Sequence, residues 1–367
     1  MSRICIFNAG FKGLAFAKDL LRNNHEVFLY DYRDAMIGDG LCNLKSHSFK
    51  FNYIHAGFDT IYPNPVKNPE AFQQFVLRHV QYLRPDIIFP VNSEEITALF
   101  PILEELRRFT KVPIGAWLTY NMLRNKRDFV REFSQFSPRT INIPKGVYYQ
   151  KPLLGHSGDG VKRIEVSDHV LQREVLGTGV GFEAFMNNGK IVAYFMHRRI
   201  REFPISGGSS TARVAYHDPL LAKLSYRILK FVNWTGFIML EFKQDDCGKY
   251  SLIEINPRPW GSIQLAIDHG VRFPTIAHDL FVKKDIQTRQ CYPNSNRLTE
   301  TRNVPIDILA GVCHLFRGDF HQFIDSISLW KSFNWEAFNW KQPKVCILYG
   351  YMLIKKLLLP SVNRLRL

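Results

Sequence analysis

The sequence predicts an α/β domain followed by an α+β domain and a helical C-terminal extension. Three observations carry this. Over residues 1 to about 112, apolar strand-like runs alternate with amphipathic helix patterns, which argues for an open parallel sheet. Between Val147 and Ile255, short apolar runs are separated by Gly or Asn-Gly turns, the pattern of antiparallel hairpins. From Thr275 onward helical patterns dominate. The expected divisions are therefore 1–112, 113–275 and 276–367.

Taken in order, Arg3 to Phe7 reads as a buried strand. Asn8 to Leu14 is a glycine turn opening a helix that ends near Asn23, and His25 to Tyr30 is a second strand ending at Asp31. Strand, glycine turn, helix, strand and acidic residue make a Rossmann-like opening. Only Gly10 and Gly13 are present, not the full GxGxxG, so a βαβ unit with purely structural glycines is an equal reading. Glu70 to Leu83 has the period of an amphipathic helix, Ile87 to Pro90 that of a buried parallel strand, and Glu94 to Arg108 that of the next helix. Tyr120 to Phe136 reads as helical, and Val147 to Tyr149 as a strand before a loop with Gly155, Gly158 and Gly160. Asn188-Gly189 marks a hairpin between Phe182–Met186 and Ile191–Met196. Asp218 to Asn233 is a helix, and Phe237–Lys243 pairs with Tyr250–Ile255 across Asp245–Gly248.

The 367 residues are 46% hydrophobic and 22% charged, a globular composition. The formal net charge of +15 attracts anions of any kind. There is no zinc-finger or RNP-like pattern and no dense basic run with interleaved aromatics, so no nucleic-acid partner is expected. Six scattered cysteines without a CxxC pair fit reduced thiols in a cytoplasm-like compartment. No stretch supplies the ~18 apolar residues of a membrane span. The nearest, Val345 to Leu359, is interrupted by Lys355-Lys356. It reads either as a helix packed on the body or as a basic helix lying peripherally on the inner membrane face.

The chemistry concentrates in the last two hairpin strands. Period-two alternation puts Glu254 and Asn256 on one face, and the hairpin can bring Glu241 opposite them. Two carboxylates and an amide suit a hard cation, with phosphate oxygens completing the shell. Glu254 sits among Leu252, Ile253 and Ile255, where an uncompensated charge is costly. The other reading is two ordinary charges on a solvated strand.

Glu241 followed by Glu254-Ile255-Asn256-Pro257-Arg258 resembles the end of the ATP-grasp superfamily fold, in its carboxylate-amine ligase branch and its carbamoyl-phosphate-synthase-type domains. Upstream pieces fall in the same order. Asn125-Lys126 resembles the family's lysine at a helix start. Gln150-Lys151-Pro152, then Gly155-His156-Ser157-Gly158-Asp159-Gly160, resembles its strand lysine and glycine loop. Gln172-Arg173-Glu174-Val175 resembles the hinge strand that meets adenine through main-chain groups, and His197-Arg198-Arg199 a basic element near the phosphates. The resemblance implies a Rossmann-like pre-ATP-grasp domain, then an ATP-grasp domain with a lid at about 140–195. It also implies ATP and Mg2+ (or Mn2+) as cofactors, and small-molecule carboxylate and amine substrates. Lys126 and Lys151 would place point charges on phosphate oxygens, and Gly155, Ser157, Gly158 and Gly160 would bring backbone N–H groups to them. Glu241, Glu254 and Asn256 would hold the metal, while Arg258, with Lys151 and Arg199, would stabilise the transferring phosphoryl group.

Taken singly, each lysine also reads as a surface charge, the glycine loop as a plain turn, and His197–Arg199 as a surface run. Only Lys162 to Val170 separates the glycine loop from the hinge, where the family has a helix, so the lid should be small. Gly179 stands where the family often has an acid for the ribose. Glu183 is a candidate replacement or a solvated strand charge. Two other functions remain open. One is a nicotinamide-dependent oxidoreductase using Gly10, Gly13 and Asp31; the other is a non-catalytic ATP-binding or membrane-associated protein.

Overall fold

The computed structural model describes residues 1–32, 61–143, 146–150, 162–166, 169–205, 208–284, 300–328 and 334–335. Strands β1 (Arg3–Phe7), β2 (Glu26–Tyr32), β3 (Ile61–Tyr62) and β4 (Ile87–Pro90) form a parallel sheet in the order β3-β2-β1-β4. Alternate residues of β1 enter two different cores: Cys5 and Phe7 one, Ile4 and Ile6 the other. A strand covered on both faces has to be apolar throughout, which is why it reads as a continuous hydrophobic run. Both cores continue into the second half of the chain, one through Phe182 and Leu240, the other through Phe185, Phe237 and Trp260. The two halves are thus packed as one body.

The Pro69–Leu83 helix starts on Asn68, whose side chain accepts from the Ala71 N–H, and ends at Arg84 in a left-handed conformation. The helix expected over Glu94 to Arg108 is divided into Ser93–Leu99, a 3-10 turn at Phe100–Ile102, and Leu103–Leu106. Pro101 explains the break, because it has no N–H to give to the preceding turn. The helix expected over Tyr120 to Phe136 is divided as well, into Trp117–Arg124 and Lys126–Phe133. Asn125 between them is extended, and its side chain caps the second helix by accepting from the Arg127 and Asp128 N–H groups. That cap places Lys126 at a helix start.

Four short strands follow: β5 (Thr140–Ile143), β6 (Gly146–Gln150), β7 (Lys162–Val166) and β8 (His169–Gln172). They pair antiparallel as β5 with β8 and β6 with β7. Among the described residues of this stretch there is no helix. The polypeptide then enters a seven-stranded sheet of β9 (Thr178–Asn187), β10 (Lys190–Phe203), β11 (Ser209–Ala215), β12 (Gly236–Gln244), β13 (Tyr250–Asn256), β14 (Glu300–Arg302) and β15 (Asn334–Trp335). The order is β13-β12-β9-β10-β11-β14-β15. Residues 178–195, expected within the lid, belong instead to β9 and β10 of this large sheet. The β9–β10 turn has Asn188 at φ 48 and Gly189 at φ 73, the left-handed pair that a tight hairpin needs.

Beyond the Phe273–His278 helix the C-terminal region is not helical alone: β14 extends the large sheet along β11, and β15 pairs with β14. The helices Val304–Phe316 and Phe320–Ile327 pack beside them. They are tied to β10 by buried ion pairs from Arg201 to Asp307 and Asp325. No helix among the described residues is long and apolar enough to cross a membrane, and Val345–Leu359 lies outside those residues.

Candidate active site

Strands β12 and β13 run antiparallel with Glu241 directly opposite Glu254. Asn256, two residues on, joins them: its Nδ2 donates to Glu241 Oε1 at 3.0 Å and to Glu254 Oε1 at 2.7 Å. Period-two alternation plus this register is what gathers the three side chains on one face. A bulge follows immediately, between Glu241 and Phe242, so the row is not continued in simple alternation.

Cations surround the row. Lys126 donates to Glu254, Arg199 to Glu241, and Arg258 Nη2 to Asn256 Oδ1 at 3.2 Å. Arg199 also donates from Nη1 to Glu202 Oε1 at 3.3 Å, and Lys243 stands 3.7 Å from that same carboxylate oxygen. Burial on its own would raise the Glu254 carboxyl; the Lys126 charge, with Asn256 and Arg258, outweighs it and holds the group below its ordinary value. Glu254 therefore contributes stability above the unfolded value of 4.5, and that contribution is lost as pH falls through the lowered folded value. Burial would lower the Arg199 guanidinium, but Glu241 and Glu202 reverse this and raise it.

Strand β9 pairs with β12 beside the row, with Gly181 opposite Glu241, and its sequence carries a signal that the motifs did not show. Gly179 and Gly181 stand two positions apart within β9, so they share one face. A Cβ on Gly179 would stand 2.7 Å from Glu202 Oε1 and 2.8 Å from Arg199 Cδ, and one on Gly181 would stand 2.3 Å from His197 Cε1. These glycines make room for Arg199, Glu202 and His197 of β10. Glu183, next on that face, is not a solvated strand charge: it is buried, 2.9 Å from His197 Nδ1, and accepts from the Ser262 hydroxyl. Gly181→Ala should cost about 1–3 kcal/mol, because His197 is enclosed and cannot swing aside. Urea denaturation measures this, and an unchanged midpoint would show that the face is not close-packed.

The remaining expected groups are placed as follows. Gln172 ends β8, with its Nε2 3.4 Å from Thr140 Oγ1, and the Arg173 N–H donates to the Arg139 carbonyl. Arg173, Glu174 and Val175 then form an irregular connection rather than a strand. It turns at Gly177 (φ 139), where a Cβ would meet the Gln244 carbonyl oxygen at 2.0 Å. Lys151, Gly155, Ser157, Gly158 and Gly160 lie outside the described residues. Gly10 and Gly13 serve the turn itself, since a Cβ on Gly13 would lie 1.9 Å from the Asn8 carbonyl oxygen. Asp31 is buried, with Oδ1 accepting from the Tyr32 N–H at 2.9 Å. A groove of about 1060 Å3 opens beside Trp117 and Asn188 and contains none of the residues of the Glu241–Glu254 row.

The donors fit a hard divalent cation. Among the described residues no group of three or more His, Cys, Asp or Glu could hold a metal ion. Glu241, Glu254 and the Asn256 amide are two carboxylates and one amide on one face, fewer donors than a hard cation takes, so phosphate oxygens and water would have to complete the shell. With a cation between the carboxylates, a turn of the Asn256 amide would present Oδ1 in place of Nδ2.

The parallel sheet, the two short antiparallel strand pairs and the large sheet that carries this acidic row make up a fold similar to the ATP-grasp fold. A family model described as ATP-grasp in the biosynthetic pathway with Ter operon matches residues 183–303, the segment that holds Glu241, Glu254, Asn256 and Arg258. Among solved structures, an L-amino acid ligase from Bacillus licheniformis is similar, with a TM-score of 0.54 and 14% identity over 77% of this chain and 74% of that one. So is a carboxyaminoimidazole ribonucleotide synthase from Aspergillus clavatus complexed with ATP, at 0.55 and 12% over 86% of each chain. A biotin carboxylase from Campylobacter jejuni gives 0.51 and 12% over 77% of this chain and 71% of that one. A search of the curated proteins finds no match.

Proposed function

We propose that the protein is an ATP-dependent, ADP-forming ligase that activates a substrate carboxylate as an acyl-phosphate and joins it to an amine. The observation that carries this reading is the opposed pair Glu241 and Glu254, joined by Asn256 and ringed by Lys126, Arg199 and Arg258. The similarity to an L-amino acid ligase supports an amine, in preference to a thiol or hydroxyl, as the nucleophile. The free thiols of Cys5, Cys247 and Cys313 suit a reducing, cytoplasm-like setting for it.

Mg2+ (or Mn2+) held by Glu241, Glu254 and Asn256 would neutralise phosphate charge during transfer. The protein's own part is positioning and charge. Lys126, now on Glu254, is exposed and long enough to turn to a phosphate oxygen, and Lys151 would add a second point charge. Main-chain groups of Gln172 to Val175 would meet the adenine, and Gly155, Ser157, Gly158 and Gly160 the phosphates. A substrate carboxylate oxygen attacks the γ-phosphorus, forming an O–P bond as the bond to ADP breaks. Arg258 and Arg199 would stabilise the equatorial oxygens at that point. The amine nitrogen then attacks the acyl carbon, a C–N bond forms, phosphate leaves, and the amine gives up its proton. A screen of paired carboxylates and amines for ADP release, beginning with L-amino acids, tests the reading. ADP formation that depends on the carboxylate is expected; tight NADH binding, with no pair giving ADP, would replace this function with an oxidoreductase.

A further inference from the structure

One carboxylate beside the acidic row has no part in the scheme above. Glu202 lies near the end of β10, and in a regular strand it would point away from Arg199, three residues before it. The pairing of β10 with β11 is irregular between Arg199 and Arg201 and again between Arg201 and Glu202. Such irregularities re-aim side chains. Here Arg201 turns to Asp307, while Glu202 comes back to Arg199, whose Nη1 donates to its Oε1. Gly179 leaves the space for this: a Cβ there would lie 2.7 Å from the same oxygen.

The contacts of Glu202 fix its place along the site. Lys243 stands opposite Gly179 in the β9–β12 register; its Nζ lies 3.7 Å from Glu202 Oε1 and donates to the Gly177 carbonyl at 3.4 Å. Gly177 closes the connection whose main chain, from Gln172 to Val175, would meet the adenine. On the other side Arg199 joins Glu202 to Glu241. Glu241 is opposite Gly181, two residues or about 7 Å beyond Gly179 along β9. The order across the sheet is therefore connection, Glu202, acidic row. A nucleotide with its base at the first and its phosphates at the third lays its sugar over the second. The chemistry agrees. Both cations stand at Oε1, and among the described residues no group donates to Oε2. A carboxylate anchored through one oxygen keeps the other to accept a hydroxyl, whereas a phosphate oxygen would be repelled.

We propose that Glu202 accepts from the ribose hydroxyls of the bound nucleotide and so makes the site selective for a ribonucleotide. The assignment rests on the ligase reading, which supplies the nucleotide. Arg199 and Lys243 act on the sugar only through Glu202, by fixing the direction in which Oε2 points.

Isothermal titration of the full chain with ATP and with 2′,3′-dideoxy-ATP, both with Mg2+ present, tests this. The wild type should bind ATP at least about tenfold more tightly, because the dideoxy analogue leaves a charged acceptor without its donor. Glu202→Ala should weaken ATP about tenfold and leave the dideoxy analogue within about twofold, so that the preference disappears. Glu202→Gln keeps the shape and a weaker acceptor, and should keep part of the preference; it carries the comparison if Glu202→Ala does not fold. Equal weakening of both nucleotides in the variants would mean that Glu202 only holds Arg199 and Lys243 in place, and overturns the proposal. A wild type that binds ATP and the dideoxy analogue equally overturns it too, and leaves the ligase reading standing. A wild type that binds neither overturns the ligase reading, and this assignment falls with it.

Discussion

Asp307→Ala is expected to remove about 3–5 kcal/mol of stability, because it breaks a buried ion network by deleting one partner. Arg201 grips Asp307 with both arms, Nε to Oδ1 at 2.9 Å and Nη2 to Oδ2 at 2.6 Å, and Thr211 Oγ1 adds a bond at 2.7 Å. Arg302 stands 3.7 Å from the same carboxylate, and the side chains of Arg201, Arg302 and Asp307 are all fully buried. Without Asp307 the two guanidiniums are still balanced by Asp325 and Glu300, but Arg201 Nε and Nη2 and the Thr211 hydroxyl lose their acceptor in a buried site, and each unsatisfied donor costs about 1–3 kcal/mol. A loss of that size is a large part of the 5–15 kcal/mol typical of folded domains. The effect should reach the site, since β10 carries Arg199 toward Glu241 and, across a bulge, Arg201 toward Asp307. Urea denaturation followed by tryptophan fluorescence measures it, and a midpoint equal to the wild type's would contradict the account of how the C-terminal helices are held.

Arg258→Ala should lower ADP formation by about 10²–10³-fold with whichever carboxylate and amine pair scores in the screen. Arg258 Nη1 is held by the Pro259 carbonyl, a bond that does not depend on how the Asn256 amide is turned, so its fork is aimed before any substrate arrives. Its loss removes a fixed cation from beside the row, and water that fills the gap must reorganise during transfer. Arg258→Lys should recover only part of the rate, because an ammonium cannot offer two parallel donors. Steady-state ADP release checks both variants, and a rate within about twofold of the wild type for Arg258→Ala would remove this residue from the chemistry.

The acidic row was legible because two simple periods overlap there: alternation puts Glu254 and Asn256 on one face, and a short hairpin fixes Glu241 opposite. The β1–helix–β2 opening and the Asn188-Gly189 turn were legible for equally local reasons. Glu183 was misread because one acidic residue on a strand looks the same whether water or His197 lies beside it. The glycines before it held the missing clue, as alternating small residues on one face mean that bulky neighbours lean over it. Arg201 and Asp307 are 106 residues apart, and no local pattern pairs them. The two divided helices were readable in principle, from Pro101 and from the capping side chain of Asn125, but an apolar period running through both breaks concealed them.

The most direct test of the site is Mg-ATP binding to the wild type and to Glu254→Gln, each titrated with Mg2+ and again with the metal chelated. The substitution keeps the shape of the side chain and removes the negative charge that Lys126 and the cation would share. The wild type should bind ATP more tightly with Mg2+ than without it, and Glu254→Gln should lose most of that difference while remaining folded. Equal stabilisation of both proteins by Mg-ATP would contradict the assignment of Glu241, Glu254 and Asn256 as the metal-holding row.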